Sequence, residues 1–207
     1  MPQNKSHWYD GWFYDKFIAP NQDRLFSQIK EYISEDSTVI DIGCGTGRFS
    51  FFAHDKCSYV LGIDLSKKNI RNAVGKLNSN PNRKIEFRHS SVAEVESEIT
   101  KKFDYALLTY VIHEVDEQER VKLLEEIYEI TDKIIIGEYL VPRPKGFWST
   151  LNEIVEFAAG KDHYRNFKSF VRNGGVRNLA ALTGSEIIFE KSNQPLTSQL
   201  VVLQKVH

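Results

Sequence analysis

Short β-branched runs alternate with amphipathic stretches along the first two-thirds of the chain, and this rhythm predicts the order of elements. Thr38–Ile42 reads as a first strand entering a glycine-rich turn, and Tyr59–Ile63 as a second ending at Asp64. Ser66 stands where an N-cap belongs, ahead of a helix whose Ile70, Ala73, Val74 and Leu77 form an i, i+3, i+4, i+7 stripe. Lys84–Arg88 predicts a third strand and Tyr105–Leu108 a fourth, whose unbroken apolar run implies burial on both faces. Asp116 and Glu119 have capping-box spacing before a helix with Val121, Leu124, Ile127 and Tyr128 on one side. Lys133–Ile136 follows as a fifth strand. Such alternation predicts parallel strands joined by right-handed crossovers, hence an α/β three-layer sandwich.

The remaining third changes pattern. Phe147–Ala159 and Asn166–Asn173 read as helices, the second stopped by Gly174-Gly175, with a short helical piece continuing to Thr183. Glu186–Glu190 and Leu200–Val206 are strand-like with no helix between them, which predicts a hairpin and an antiparallel last strand. At the other end, Trp8, Tyr9, Trp12, Phe13, Tyr14, Phe17 and Ile18 recur at spacings of four that suit a helix, although Gly11 weakens it. This aromatic opening fits a lid, plain packing against the sheet, or an interfacial membrane segment. Against the last, Lys5 and Lys16 are offset by Asp10 and Asp15. The chain is read as one domain, 1–207, with a helical lid over 1–34 and a helical substrate-side insertion over 142–184.

Composition narrows the function classes. A net charge of −1 gives no general attraction to nucleic acid, and none is expected as a partner. Two cysteines, Cys44 and Cys57, make neither a disulfide framework nor a zinc pattern, and no metal-ligand spacing stands out, so no metal is expected. A polar Met1–Ser6 and the lack of any apolar run of about 18 residues predict a soluble, cytoplasmic protein.

The strongest chemical signal is Val39-Ile-Asp41-Ile-Gly43-Cys44-Gly45-Thr-Gly47, between a strand and a helix. Glycines there let backbone approach a ligand closely. Asp64, ending the next strand, is placed to take hydrogen bonds from ribose hydroxyls. A dinucleotide fingerprint, G-x-G-x-x-G, would need glycine at position 48, where the chain has Arg48. Asp41 would repel a pyrophosphate and suits a positively charged amino group.

Residues 39–50 resemble the first motif of the class I S-adenosylmethionine (SAM)-dependent methyltransferases. Leu61-Gly-Ile-Asp64-Leu65-Ser66 resembles that family's second-strand motif, and Phe103–Val115 the fourth-strand motif of its small-molecule branch. The resemblance implies a Rossmann-like, seven-stranded, mostly parallel sheet with an antiparallel last strand. It also implies SAM as cofactor, S-adenosylhomocysteine (SAH) as product, and methyl transfer to a small-molecule acceptor. Position by position, it implies that the turn, Cys44 and Gly47 included, holds the cofactor, with Asp41, Gly43 and Gly45 along its methionine part. It assigns Asp64 to the ribose, Leu65 to the adenine, and the Leu108 backbone to the methionyl amino group. Ser91 and Val92 fall where the family often carries Asp-Ala against the adenine, a departure that weakens this contact. Thr131-Asp132 replaces the usual Pro-Gly-Gly turn.

At the acceptor end the residues say less. His113, just past the fourth strand, is the leading candidate to receive a substrate proton, with His163 the second; a capping or packing histidine is the alternative for His113, and a surface loop for His163. Tyr14, Tyr110, Tyr164 and Arg165 are candidate substrate contacts. Lys161, Arg165, Lys168, Arg172 and Arg177 form a basic stretch that is either a solvated face or a receptor for an anionic group on the acceptor. Two other functions stay open: methylation of a lipid headgroup at a membrane surface, and a SAM-binding partner protein without catalysis. Monomer and homodimer are both compatible with the chain.

Overall fold

Seven strands lie in the order β3-β2-β1-β4-β5-β7-β6 in a computed structural model that describes residues 19–194 and 196–206. They are β1 (Ser37–Ile42), β2 (Cys57–Ile63), β3 (Ile85–Arg88), β4 (Tyr105–Thr109), β5 (Lys133–Tyr139), β6 (Glu186–Ser192) and β7 (Ser198–Gln204). The first five are mutually parallel, while β7 runs antiparallel to both β5 and β6. This is the seven-stranded sheet expected, with the last strand two residues earlier than its sequence pattern suggests.

Among the described residues, eight α-helices flank the sheet: α1 (Ala19–Tyr32), α2 (Arg48–Ala53), α3 (Lys67–Ser79), α4 (Val92–Glu96), α5 (Arg120–Ile130), α6 (Phe147–Ala159), α7 (Lys161–Arg172) and α8 (Gly175–Leu182). Alternate strand residues feed opposite faces, as a two-sided parallel sheet requires. Ile40, Ile42, Leu61, Ile63, Leu108, Ile134 and Ile136 pack with Leu124 and Ile127 of α5 and Val176 and Leu179 of α8. Val39, Val60, Leu107, Ile135 and Val202 pack on the other face with Leu25, Phe26 and Ile29 of α1 and Phe49 of α2.

Leu25, Phe26 and Ile29 of α1 thus belong to the core on this face of the sheet. The aromatic positions 8–18, Tyr14 among them, lie outside the described residues. Ser66 caps α3 as expected, accepting from the Asn69 N–H. The Asp116/Glu119 box does not form. A single 3₁₀ turn, Glu117–Glu119, precedes α5, and Asp116 makes no cap bond. Its carboxylate instead accepts from Asn166 Nδ2 at 2.8 Å, because α7 packs across this turn and offers a better donor. Helix α7 also starts earlier than its pattern suggests. It begins directly after Gly160, whose φ of 130° breaks it from α6, and so carries His163, Tyr164 and Arg165 on helix rather than loop.

Candidate functional site

The strand order reverses direction between β1 and β4, and ligands in open parallel sheets bind at the carboxyl ends beside such a switch. The glycine turn leaves β1 at this point. Gly43 has φ 68°, and a side chain there would stand 2.6 Å from Val111 Cγ2. Gly45 has φ 56°, and a Cβ there would meet nothing within 4 Å. The turn is therefore packed from behind at Gly43 and open in front at Gly45.

Asp64 shapes this turn. Its Oδ2 accepts the Gly45 N–H at 2.9 Å, and its Oδ1 accepts the Ser66 N–H at 2.7 Å. Carboxylate oxygens can accept further bonds, so ribose hydroxyls remain admissible partners. Leu65, 75% exposed, projects beside it as an apolar surface.

Asp41 is fully buried. Its Oδ2 accepts from Ser50 Oγ of α2 at 2.7 Å, whereas Oδ1 has no hydrogen-bond partner among the described residues. Burial raises its carboxyl to about 6, partly offset by the Ser50 bond and reinforced by the nearby Asp64 charge. A buried acceptor without a donor costs about 1–3 kcal/mol unless something fills it. The ammonium of SAM is such a filler, and the open front of Gly45 gives it room; the residues present fit the cofactor.

The other cofactor positions are less uniform. Cys44 is a buried thiol whose pKa burial pushes well above the usual cysteine range, which makes it packing rather than a nucleophile. Gly47 N-caps α2 in a left-handed conformation at φ 78°. The Ser91 hydroxyl is engaged in a capping box with Glu94 at the start of α4, so an adenine would have to compete for it. Val92 is buried beneath it. Leu108 pairs in register with Ile42 on one side and Ile136 on the other. Thr109, the next residue, pairs only with β5, so the β1 side of β4 is free from there on.

Beyond β4 and β5 the structure gathers a second group. Tyr110 takes φ 56°, with its ring centroid 5.4 Å from that of Tyr139. His113 is only 2% exposed, and its Nδ1 lies 2.6 Å from Glu138 Oε1. Glu156 of α6 accepts from the Tyr139 hydroxyl through Oε1 at 2.6 Å. Its Oε2 lies 2.6 Å from His163 Nε2 and 3.5 Å from His113 Nε2. Burial opposes charge on both imidazoles, but the carboxylates outweigh it: Glu138 and Glu156 raise the His113 pKa well above the ordinary value, and Glu156 and Glu114 raise that of His163. Burial would push Glu156 up, yet the two histidines hold it far below the usual carboxylate range.

His113 and His163, expected separately, are thus brought together, with ring centroids 5.6 Å apart. His163 keeps 23% of its side chain exposed while His113 keeps 2%, so only the former is exposed enough to meet an acceptor molecule. Tyr164 donates to Glu153 Oε1 at 2.8 Å. Arg165 is exposed and pairs with Asp162 and Asp116. Lys168, Arg172 and Arg177 pair with Glu153, Glu117 and Glu190, so with Arg165 these four of the five cations in the basic stretch sit in ion pairs.

Glu138, Tyr139 and Glu156 were not singled out by their sequence context. For Glu138 a signal exists: a lone acid ends the apolar run Ile134-Ile-Ile-Gly-Glu138. Glu156, within an ordinary amphipathic helix, gives none. Arg120, at the start of α5, gives no sequence signal either. Its guanidinium, nearly buried, donates to the Asn166 carbonyl at 2.6 Å and to Ser169 Oγ at 2.8 Å, fixing α7 and hence His163 against α5.

The family described as "Methyltransferase domain" matches residues 39–133. A candidate ribosomal RNA large subunit methyltransferase of Methanocaldococcus jannaschii is 35% identical over 97 residues, 44% of this chain and 24% of that protein. The carboxy-S-adenosyl-L-methionine synthase of Campylobacter hominis is 24% identical over 152 residues, 71% of this chain and 63% of that one. The chain therefore spans less than two-thirds of either relative. The crystal structure of magnesium protoporphyrin IX methyltransferase from Synechocystis PCC 6803 with bound SAH superposes with a TM-score of 0.69 at 18% identity, covering 96% of this chain and 91% of that one.

Proposed function

Residues 39–133 belong to the class I SAM-dependent methyltransferases, and from that premise we propose that the protein transfers a methyl group from SAM to a small-molecule acceptor. The observation that carries this reading is the buried, half-satisfied Asp41 carboxylate behind the open front of Gly45. In this reading Asp41 Oδ1 holds the cofactor's ammonium, Asp64 takes its ribose hydroxyls and Leu65 lies along its adenine. SAM, when bound, supplies a methyl group on a sulfonium, already strongly electrophilic. What remains for the protein is to orient the acceptor and exclude water.

Tyr110 walls the acceptor side in this reading, and His163, oriented by Glu156, takes the proton that an O–H or N–H acceptor gives up. His113 is the buried support of that pair rather than the group that meets the acceptor, since its side chain is 2% exposed. Wild-type turnover in both His113→Ala and His163→Ala would remove this assignment. For an anionic group on the acceptor, four of the five cations of the basic stretch are already held by carboxylates. A lipid-headgroup acceptor has one observation in its favour: Phe147, Ile154 and Phe157 of α6 are exposed by 70%, 53% and 67%. Co-sedimentation with anionic vesicles tests it, and no binding would count against it.

The experiment for the main reading is a screen of pooled small molecules that reads SAH release from SAM. One acceptor supporting multiple turnovers is the expected result. SAH binding without turnover on any pool would favour a non-catalytic SAM-binding protein.

A further inference from the structure

We propose that His113, Glu156 and His163, with Glu114 at the rim, form a binding site for a divalent transition-metal ion of the zinc class. Ligand atoms of His113, Glu114 and His163 lie within 4.8 Å of one another. Glu156 Oε2 stands between the two imidazoles, 2.6 Å from His163 Nε2 and 3.5 Å from His113 Nε2. His163 Nε2 is also 3.8 Å from Glu114 Oε1. These contacts are close but not aligned as hydrogen bonds: His113 Nε2 and Glu156 Oε2 are both buried with no hydrogen-bond partner among the described residues. Two buried groups whose polar atoms converge without a hydrogen bond between them are costly as they stand. A cation at that point would satisfy both.

The outer contacts are those of a metal site. Glu138 occupies Nδ1 of His113 at 2.6 Å and leaves Nε2 to face the cluster. The Tyr139 hydroxyl occupies Glu156 Oε1 at 2.6 Å and leaves Oε2 facing it. Carboxylates and hydroxyls that bind the far side of a ligand fix its tautomer and aim, which is how metal ligands are held. Two imidazoles with one or two carboxylates suit zinc and its neighbours, whereas magnesium and calcium prefer oxygen alone. Ligands about 2 Å from a tetrahedral ion stand roughly 3.3 Å apart, so the 2.6 Å separation must open slightly on uptake while the 3.5 Å one is already suitable. The ligands come from positions 113, 114, 156 and 163, on three different segments, which is why no ligand spacing is visible along the chain.

The inference does not depend on the identity of the cofactor at the glycine turn. Ion and proton claim the same lone pairs, so uptake releases protons and takes the His163 nitrogen used in the proposed proton transfer. The test uses the full chain stripped of metal by a chelator and titrated with Zn²⁺ against a chromophoric competitor. Co²⁺ absorption serves as a second readout. The expected result is one equivalent per chain with tetrahedral Co²⁺ bands, and binding weakened at least about tenfold in both Glu156→Gln and His163→Ala. His54→Ala and His89→Ala, remote from the cluster, should bind as wild type. Circular dichroism establishes that each variant is folded; should Glu156→Gln unfold, the more exposed His163→Ala carries the comparison. Absence of stoichiometric binding to the wild type, or equal binding by the folded cluster variants, would overturn the proposal.

Discussion

The two ends of the proposed site, a cofactor end at the glycine turn and an acceptor end at the histidine cluster, are built in different ways. The cofactor end comes from one short stretch: a strand, its turn, a helix and the end of the next strand place Asp41, Gly43, Gly45 and Asp64 within 24 residues of sequence, counting 41 through 64. Backbone does most of the work there, through positive φ angles at the glycines and N–H groups given to Asp64. The acceptor end collects side chains from β5, from the segment after β4, and from two helices of the insertion. It depends on long-range packing, such as the Arg120 bonds to α7. A site made by local backbone is stated by a motif, while a site made by tertiary packing is not.

This contrast predicts that the two ends can be damaged separately. The largest expected effect is at the acceptor end: with the acceptor identified by the screen, His163→Ala should lower kcat by about 10²–10³-fold if it takes the proton. SAH affinity should stay within about twofold, because among the described residues His163 contacts Glu156, Glu114 and His113 and not the glycine turn. Loss of SAH binding in this variant would show the two ends to be coupled.

At the cofactor end, Asp64→Ala removes the acceptor for the Gly45 and Ser66 N–H groups as well as any ribose contact. Charged hydrogen bonds of this kind are worth about 1.5–3 kcal/mol each, so SAH Kd should rise roughly a hundredfold, read by calorimetry.

A pH dependence sharpens the role of Asp41. Its carboxyl, raised to about 6 by burial, takes a proton in the ligand-free protein as pH falls through that value. An ammonium ligand needs the carboxylate. SAH affinity should therefore be full above about pH 7 and fall by up to about tenfold per pH unit below 6. For stability the sign reverses. Between the unfolded value near 3.8 and the folded value of about 6, the native state holds a proton that the unfolded chain has released. The ligand-free protein should thus gain stability from this group as pH falls through that window, on the order of 3 kcal/mol. Asp41→Asn should flatten both dependences.

The smallest effect is expected at Arg165. Exposed and already paired with Asp162 and Asp116, its replacement by alanine should change stability by less than about 1 kcal/mol. Turnover should change less than about twofold. A larger drop in kcat/KM would restore the basic stretch as a receptor for an anionic acceptor.

What the sequence disclosed follows the same division. The order of elements and the β1–turn–β2 unit are legible because period-two and period-3.6 patterns and glycine spacing are local properties. The start of α7 is not legible because Lys161–Arg165 is polar on the exposed side and packs on α6 through tertiary contacts, Tyr164 on Phe157 and His163 on Glu156. The Asp116 cap failed for a related reason: a donor from 50 residues away took its carboxylate. His113 could be named from its place after β4, but its burial could not, since the two carboxylates flanking it sit 25 and 43 residues further along.

The most direct test of this account is a calorimetric titration of SAH into the wild type, Asp64→Ala and Glu156→Gln side by side. One site per chain is expected in the wild type, with a loss of roughly a hundredfold in Asp64→Ala and wild-type affinity in Glu156→Gln. No SAH binding by the wild type, or an equal loss in both variants, would contradict it.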